Sequence, residues 1–257
     1  MTPDLLQAYL ARLGLLSASL PPTRDTLILL QRRHMERVPF ENLDVVGRRP
    51  IALGAEAALE KVVRRGRGGF CFELNEAFRA LLAHLGFAVA RIEGRVHVAA
   101  TGGFGAPFDH LALVVSVPEG DFLADVGFGD GPREPLPWPE GEWDDAIAGA
   151  FRLAPVEDGL VELSAGPIGE TGFVPLYRVS REPQPIEAFA GMCAFHQTDA
   201  ASFFTRGPIA TIALPAGRVT LTADKVIVTR DGGRTETPYA AEDRASLLRQ
   251  HFAIETP

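Results

Sequence analysis

Two cysteines and six histidines are the groups in this 257-residue chain that could carry nucleophilic chemistry, and one cysteine stands in an informative setting. Cys71 ends the Gly-rich run Arg67-Gly68-Gly69-Phe70 and is followed by Phe72-Glu73-Leu74-Asn75. Leu74, Phe78, Leu81, Leu82 and Leu85 then recur at three- and four-residue spacing, which predicts one apolar face of a helix with Cys71 at its N-terminus. Unpaired N–H groups and the positive end of the dipole at such a terminus favour thiolate over thiol, the form that attacks carbonyl carbon. Free cysteines more often pack as small buried hydrophobes. A Gly-rich turn, which lets backbone approach closely, is wasted on that role. Cys193 has no such context and is expected to be structural.

A cysteine nucleophile needs a base, and the base needs an orienting acceptor. His34, His84, His97, His110, His196 and His251 compete. His84 lies on the cysteine's own helix about 20 Å away at 1.5 Å per residue, out of reach. His34 and His251 fit amphipathic helix patterns, as ordinary helix-face residues. His110 enters a strongly apolar run, and Asp125 lies between Ala124 and Val126 in an equally apolar one, where an unpaired carboxylate is costly. If the turn between the two runs is Val117 to Gly120, residue 112 faces residue 125 and His110 is a diagonal neighbour of Asp125 on the same face. Moving the turn by one residue widens the offset to four and breaks the contact. The spacing permits the pair without requiring it.

The elements that must position these groups change period along the chain. Thr2-Pro3 predicts an N-cap and first helical residue, with Leu6, Leu10 and Leu13 on one face up to Gly14. Pro21-Pro22-Thr23 starts a second helix carrying Leu27, Leu30 and His34 on one face, which Pro39 ends. Phe40 to Asp44 is expected to be irregular, and a third helix, roughly Ala55 to Arg65, to bury Leu59, Val62 and Val63. Arg64, Arg65 and Arg67 form a positive cluster that is either a solvated face or a contact to a thiolate or anionic cofactor.

After Gly86 closes the cysteine helix, Val89 to Val98, Leu111 to Val117 and Phe122 to Val126 are strand-like, with a loop at Gly102 to Gly105. Residues 130–143, with four prolines, are expected to be an ordered loop. Further strands are expected around Phe151, Leu160 to Leu163 and Leu176 to Val179, then an irregular stretch through Cys193. Strands at Ile209 to Leu214, Arg218 to Leu221 and Val226 to Arg230 follow, with a turn at Asp231-Gly232-Gly233 and a last helix holding Leu247, Leu248 and His251. Helices followed by strands make an α+β fold rather than a wound parallel sheet.

Composition narrows the function class. Apolar residues at 46% and charged residues at 23% are globular values. A formal charge of -8 argues against a general nucleic-acid binder or an anionic-membrane binder. The first sixteen residues lack a signal-peptide pattern, and no run of eighteen apolar residues occurs, so a cytoplasmic location is expected. Two cysteines give no disulfide framework, and no metal-ligand spacing appears, so no metal is expected.

Arg67 to Asn75, together with Pro39-Phe40-Glu41-Asn42-Leu43 upstream and Asp125-Val126-Gly127-Phe128-Gly129 downstream, resembles the signature of the arylamine N-acetyltransferases. The resemblance implies a Cys71-His110-Asp125 triad. It also implies a helical bundle (1–86) carrying the nucleophile, a β-barrel (87–190) carrying the histidine and aspartate, and an α/β lid (191–257). That core is shared with papain-like and transglutaminase-like enzymes. The implied chemistry is ping-pong transfer from acetyl-CoA, bound as co-substrate, to an arylamine, arylhydroxylamine or hydrazine. Phe40, Phe128 and Phe204 would wall the aromatic acceptor, with core packing the competing role for each. Gly127 would let backbone approach coenzyme A, and N–H groups at Cys71 and near Leu111 would receive an oxyanion. The lid departs from the family pattern: Thr198 to Phe204 keeps Ser202 and Phe204 but lacks the proline of a Ser-Pro-x-Ser-x-Phe segment. An amide synthase of the same fold, a papain-like hydrolase and a catalytically silent binding protein are the rivals. The hydrolase's usual Gln and Cys-Trp context is missing.

Overall fold

The computed structural model describes residues 1–16, 19–169, 172–230 and 232–255. Helix α1 (Pro3–Leu13) starts at Thr2, whose hydroxyl accepts from Leu5 N–H, and stops at Gly14 in the left-handed region, φ 71°. α2 (Arg24–Arg37) is capped by Thr23 and ends at Val38, ahead of Pro39. The Phe40–Asp44 segment, expected to be irregular, is instead a two-residue strand β1 (Phe40–Glu41) leading into a short helix α3 (Leu43–Val46). Its regularity is imposed from a distance, since β1 pairs with a strand 170 residues on.

The third helix also differs from its expected form. It is α-helical only as α4 (Ala55–Leu59) and widens into a π-helical turn over Glu60–Arg64. That wider turn holds Lys61 among buried residues, a placement that amphipathic spacing alone does not predict. α5 (Cys71–His84) starts at Cys71 itself after an extended Phe70. It buries Leu74, Phe78, Leu81 and Leu82 in a core shared with α1, α2 and the outer face of the large sheet.

That sheet is antiparallel throughout and has nine strands: β2 (Ala88–Val98), β3 (Gly103–Phe104), β4 (His110–Val117), β5 (Gly120–Ala124), β6 (Leu136–Pro137), β7 (Gly141–Asp145), β8 (Gly149–Pro155), β9 (Val161–Gly166) and β10 (Val174–Pro183). Its order is β6-β5-β4-β2-β10-β9-β8-β7, with β3 paired to the end of β2. The outermost strands β6 and β7 are consecutive in the chain, so the sheet curls almost into a barrel around Ile92, Leu123, Phe151, Leu163 and Tyr177. The proline-rich stretch 130–143, expected to be a loop, supplies β6 and most of β7. Pro137 is tolerated because β6 is an edge strand. The Gly102–Gly105 loop contains β3.

The stretch through Cys193 is not irregular. It forms α6 (Ala190–Thr198), whose inward face holds Cys193 and His196. A second antiparallel sheet joins β1 to β11 (Ala210–Leu214), β12 (Gly217–Leu221), β13 (Lys225–Arg230) and β14 (Gly233–Pro238), in the order β1-β11-β12-β13-β14. β14 went unforeseen because every one of its side chains is exposed and none is strongly apolar. Asp231, in the expected turn, lies outside the described residues. α7 (Arg244–Phe252) packs Leu248 and Phe252 on this sheet. No helix among the described residues is long and apolar enough to cross a membrane. The architecture is α+β: an N-terminal helical assembly, a barrel-like sheet and a C-terminal α/β portion.

Candidate active site

α5 lies across β2 and β4, and its N-terminus brings Cys71 to the corner where β4 begins and β5 ends. The β4–β5 hairpin takes the first of the two turn choices: Val117 pairs with Gly120 and Leu113 with Ala124. That register puts residue 112 opposite residue 125, and His110 Nε2 lies 2.7 Å from Asp125 Oδ2. The Cys71 sulfur lies close enough to His110 to raise its imidazole pKa further. With Nε2 occupied by the carboxylate, Nδ1 is the nitrogen left to exchange a proton with the sulfur. Cys71, His110 and Asp125 are each 2–3% exposed.

Asp125 is held by four donors. Its Oδ1 accepts from Asn75 Nδ2 at 2.8 Å and from Gly127 N–H at 2.8 Å. Its Oδ2 accepts from Tyr177 Oη at 2.9 Å besides His110. These occupy the lone-pair directions of an ionised carboxylate. Burial pushes the Asp125 carboxyl up, but His110, Asn75 and Gly127 together hold it below its ordinary value. Burial likewise pushes His110 down, but the Asp125 charge and hydrogen bond, helped by the Cys71 sulfur, outweigh it and raise His110 to about 10. An imidazolium beside the sulfur is thus the resting form at neutral pH.

Asn75 and Tyr177 carry much of this geometry, and sequence reasoning gave neither a role. Asn75 sits one helical turn beyond Cys71 and donates to Leu111 C=O at 2.6 Å as well as to Asp125, while its Oδ1 accepts from Val126 N–H at 2.9 Å. One side chain thereby ties α5 to the start of β4 and the end of β5. Its signal was its place: a polar residue four positions from a candidate nucleophile shares that residue's helix face. Tyr177 is fully buried on β10, 52 residues from Asp125, and nothing local in the sequence points to it.

The remaining site candidates fall in distinct places. Phe40 and Phe204 rings lie 6.0 Å apart, with Phe70 5.7 Å from Phe204. Phe128 stands edge-on to His110 at 5.6 Å and near Tyr177 at 5.0 Å. Leu111 is fully buried, and its carbonyl is engaged by Asn75. Gly127 makes its close approach to the nucleophile itself: a Cβ there would come within 2.7 Å of Cys71 Cα and of Asn75 Nδ2. Asn42 fastens Phe204 to the site by donating to Phe204 C=O and Gly207 C=O, both at 2.8 Å.

Of the other histidines, His34 is fully buried, His84 is exposed, and the His97 ring lies tilted beside Phe104 at 5.3 Å. His196 is buried between Asp109 and Ser202. His251 is half-buried on α7. Arg64 and Arg65 are solvated, whereas Arg67 is buried and pairs with Glu41 at 2.7 Å and Asp44 at 3.2 Å. Cys193 is buried, and burial pushes its thiol up to about 12.

A buried thiol, a charged imidazole on it and a fully hydrogen-bonded carboxylate behind form the apparatus of an acyl-transferring enzyme. The family model described as N-acetyltransferase matches residues 23–257. The arylamine N-acetyltransferase of Mycolicibacterium smegmatis is 34% identical over 257 residues, covering 97% of this chain and 92% of its own. Among solved structures, an arylamine N-acetyltransferase of Bacillus cereus with a unique Cys-His-Glu catalytic triad superposes with a TM-score of 0.90 at 25% identity over 100% of both chains. The Mycobacterium marinum enzyme in complex with CoA superposes with a TM-score of 0.88 at 30% identity, covering 97% of this chain and 92% of that one. This chain belongs to the arylamine N-acetyltransferase family. Where the Bacillus triad has Glu, the residue bonded to His110 here is Asp125.

Proposed function

We propose that Cys71, His110 and Asp125 act as a triad that moves acetyl from acetyl-CoA to an arylamine, arylhydroxylamine or hydrazine in two half-reactions. The observation that carries this reading is His110, bonded at 2.7 Å to a carboxylate with four donors and raised by the nearby Cys71 sulfur. In the first half-reaction the Cys71 thiolate attacks the thioester carbonyl, the bond to the coenzyme sulfur breaks, and His110 gives its proton to the departing thiolate. In the second, the acceptor nitrogen attacks the acetyl carbon, His110 takes a proton from it, and the Cys71 thiolate leaves. Asp125 holds the imidazole in orientation and balances its charge throughout. The first N–H groups of α5, that of Cys71 among them, have no intrahelical acceptor and are suited to an oxyanion.

In the same reading Phe40, Phe128 and Phe204 are apolar walls for the acceptor ring, and Leu111 and Gly127 support the site from behind. Residues 1–86 supply the nucleophile, 87–190 the histidine and aspartate, and 191–257 the cover. The two free cysteines fit a cytoplasmic setting, where thiols stay reduced.

Incubation with acetyl-CoA followed by intact-mass measurement tests the proposal. One acetyl adduct on the wild type and none on Cys71→Ala, discharged by a simple aniline, is the expected result. An unmodified wild type overturns it.

A further inference from the structure

Glu73 lies two residues beyond Cys71, about 200° around the helix, so it faces away from His110. It is 4% exposed. Its Oε2 accepts from Phe70 N–H at 3.2 Å, the peptide immediately before the nucleophile. Both its oxygens meet Lys61 Nζ, at 2.8 and 3.0 Å. The glycine turn is shaped around this carboxylate: a Cβ on Gly69 would come within 2.6 Å of Glu73 Oε2. The acetyl-transfer steps described above give Glu73 and Lys61 no part.

The surroundings of Glu73 are charged on several sides. Lys61, from the π-helical turn, also reaches Asp44 of α3 at 2.8 Å and Glu41 of β1 at 4.0 Å. Arg67, from the glycine turn, pairs with Glu41 and Asp44, and its carbonyl accepts from Arg12 of α1. Cys193 of α6 lies close enough for the Glu73 charge to act on it. Three carboxylates share two buried cations, Lys61 and Arg67, with Arg49 pairing Asp44 from the surface at 3.7 Å and Arg12 acting on Glu41. Asp44 is pushed up by burial but held low on balance by Lys61 and Arg67. Burial pushes the Glu73 carboxyl up to about 7 against the pull of Lys61. Of the three carboxylates, Glu73 is the one that burial pushes furthest towards its neutral form.

We propose that Glu73, clamped by Lys61, is a positioning residue for Cys71: its ionised carboxylate fixes the peptide that starts the nucleophile's helix, and protonation loosens that hold. The inference rests on the acetyl-transfer reading for its relevance, since a turn that drifts takes the sulfur out of line with His110. It assigns the glycine turn a second task besides exposing the thiol, namely seating a titratable anchor.

The test is alkylation of Cys71 by iodoacetamide in wild type, Glu73→Gln and Glu73→Ala, read by peptide mass from about pH 5.5 to about pH 9. Wild type is expected to lose reactivity as pH falls through about 7. Glu73→Gln, neutral like the protonated carboxyl, should show the reduced low-pH rate of wild type across the whole range and lose the inflection. Glu73→Ala should be roughly tenfold slower at high pH, the scale of a sub-ångström misplacement. Melting at pH 8 adds a readout of opposite sign. Glu73→Gln should melt no lower than wild type, because burial disfavours the ionised Glu73 carboxylate in the folded protein at that pH.

An inflection that persists unchanged in Glu73→Gln, or wild-type alkylation by folded Glu73→Ala, overturns the proposal. If Glu73→Ala does not fold, the Glu73→Gln profile decides alone. Iodoacetamide needs no acetyl-CoA, so failure of acetyl-CoA to load Cys71 would sink the function above and leave this result separately readable.

Discussion

His110 and His34 are both buried, His34 completely, and their surroundings treat them in opposite ways. His110, at the β4–β5 corner, has Asp125 on one nitrogen and Cys71 on the other side, and is raised to about 10. His34, between α1, α2 and α5, has Tyr9 and Phe78 rings at 6.0 and 5.4 Å. Neither of its ring nitrogens has a hydrogen-bond partner among the described residues. Burial, with some repulsion from Arg12, lowers it to about 3. Depth is common to both sites, so partners and not burial decide which imidazole carries charge at neutral pH.

The comparison breaks most sharply at its anionic partner. Asp125→Asn should cut the rate of Cys71 acetylation by roughly 10³-fold or more, with Cys71 intact, as loss of the orienting carboxylate does in other triads. Rapid-quench measurement of the acetyl adduct checks it, and a wild-type rate would remove Asp125 from the triad.

The next effect is on pH-dependent stability, where the two histidines have opposite signs. His34 binds its proton in the unfolded chain near 6.5 but in the folded one only near 3, so folding stability falls as pH drops between those values. His110 keeps its proton to about 10 when folded, so its contribution is full below 6.5 and fades as pH rises from there to about 10. His34→Leu should flatten the acid limb by on the order of 4 kcal/mol between pH 6.5 and 3. Urea melts of both proteins across that range measure it. An unchanged acid limb would mean His34 takes up its proton in the folded state.

Asn75→Ala should cost about 2 to 3 kcal/mol of stability, because it strands Leu111 C=O and Val126 N–H in the interior. Acetylation should slow with it, since Asp125 loses one of its four donors. Tyr177→Phe removes a single hydrogen bond from Asp125 Oδ2 and should cost only about 1 kcal/mol. In nuclear magnetic resonance titration of His110 the same variant should leave its pKa raised. A return of His110 to an ordinary value would show that Tyr177, rather than His110, keeps Asp125 ionised.

Much of the fold was legible locally. Thr2-Pro3 and Gly14 bound α1, and Thr23 and Pro39 bound α2, where caps and breakers act on their own neighbours. The diagonal contact of His110 with Asp125 was available from strand alternation and one turn choice. The misses share a cause. β1, β6 and β14 are too short or too polar to announce themselves, and each exists because a partner strand offers its edge. α6 has nine residues with little to distinguish them from a loop until α3 and the aromatic cluster of Phe72 and Phe189 lie beside it.

By itself the sequence determined the nucleophile's setting, a glycine turn feeding a helix N-terminus, because backbone geometry and helix dipole are properties of a dozen consecutive residues. Only the tertiary structure decided the charge on His110, the burial of Lys61 against Glu73 and the choice of Tyr177 as a partner of Asp125. Those depend on which groups, tens of residues apart, are brought into one desolvated space, where a single missing partner turns a raised pKa into a lowered one.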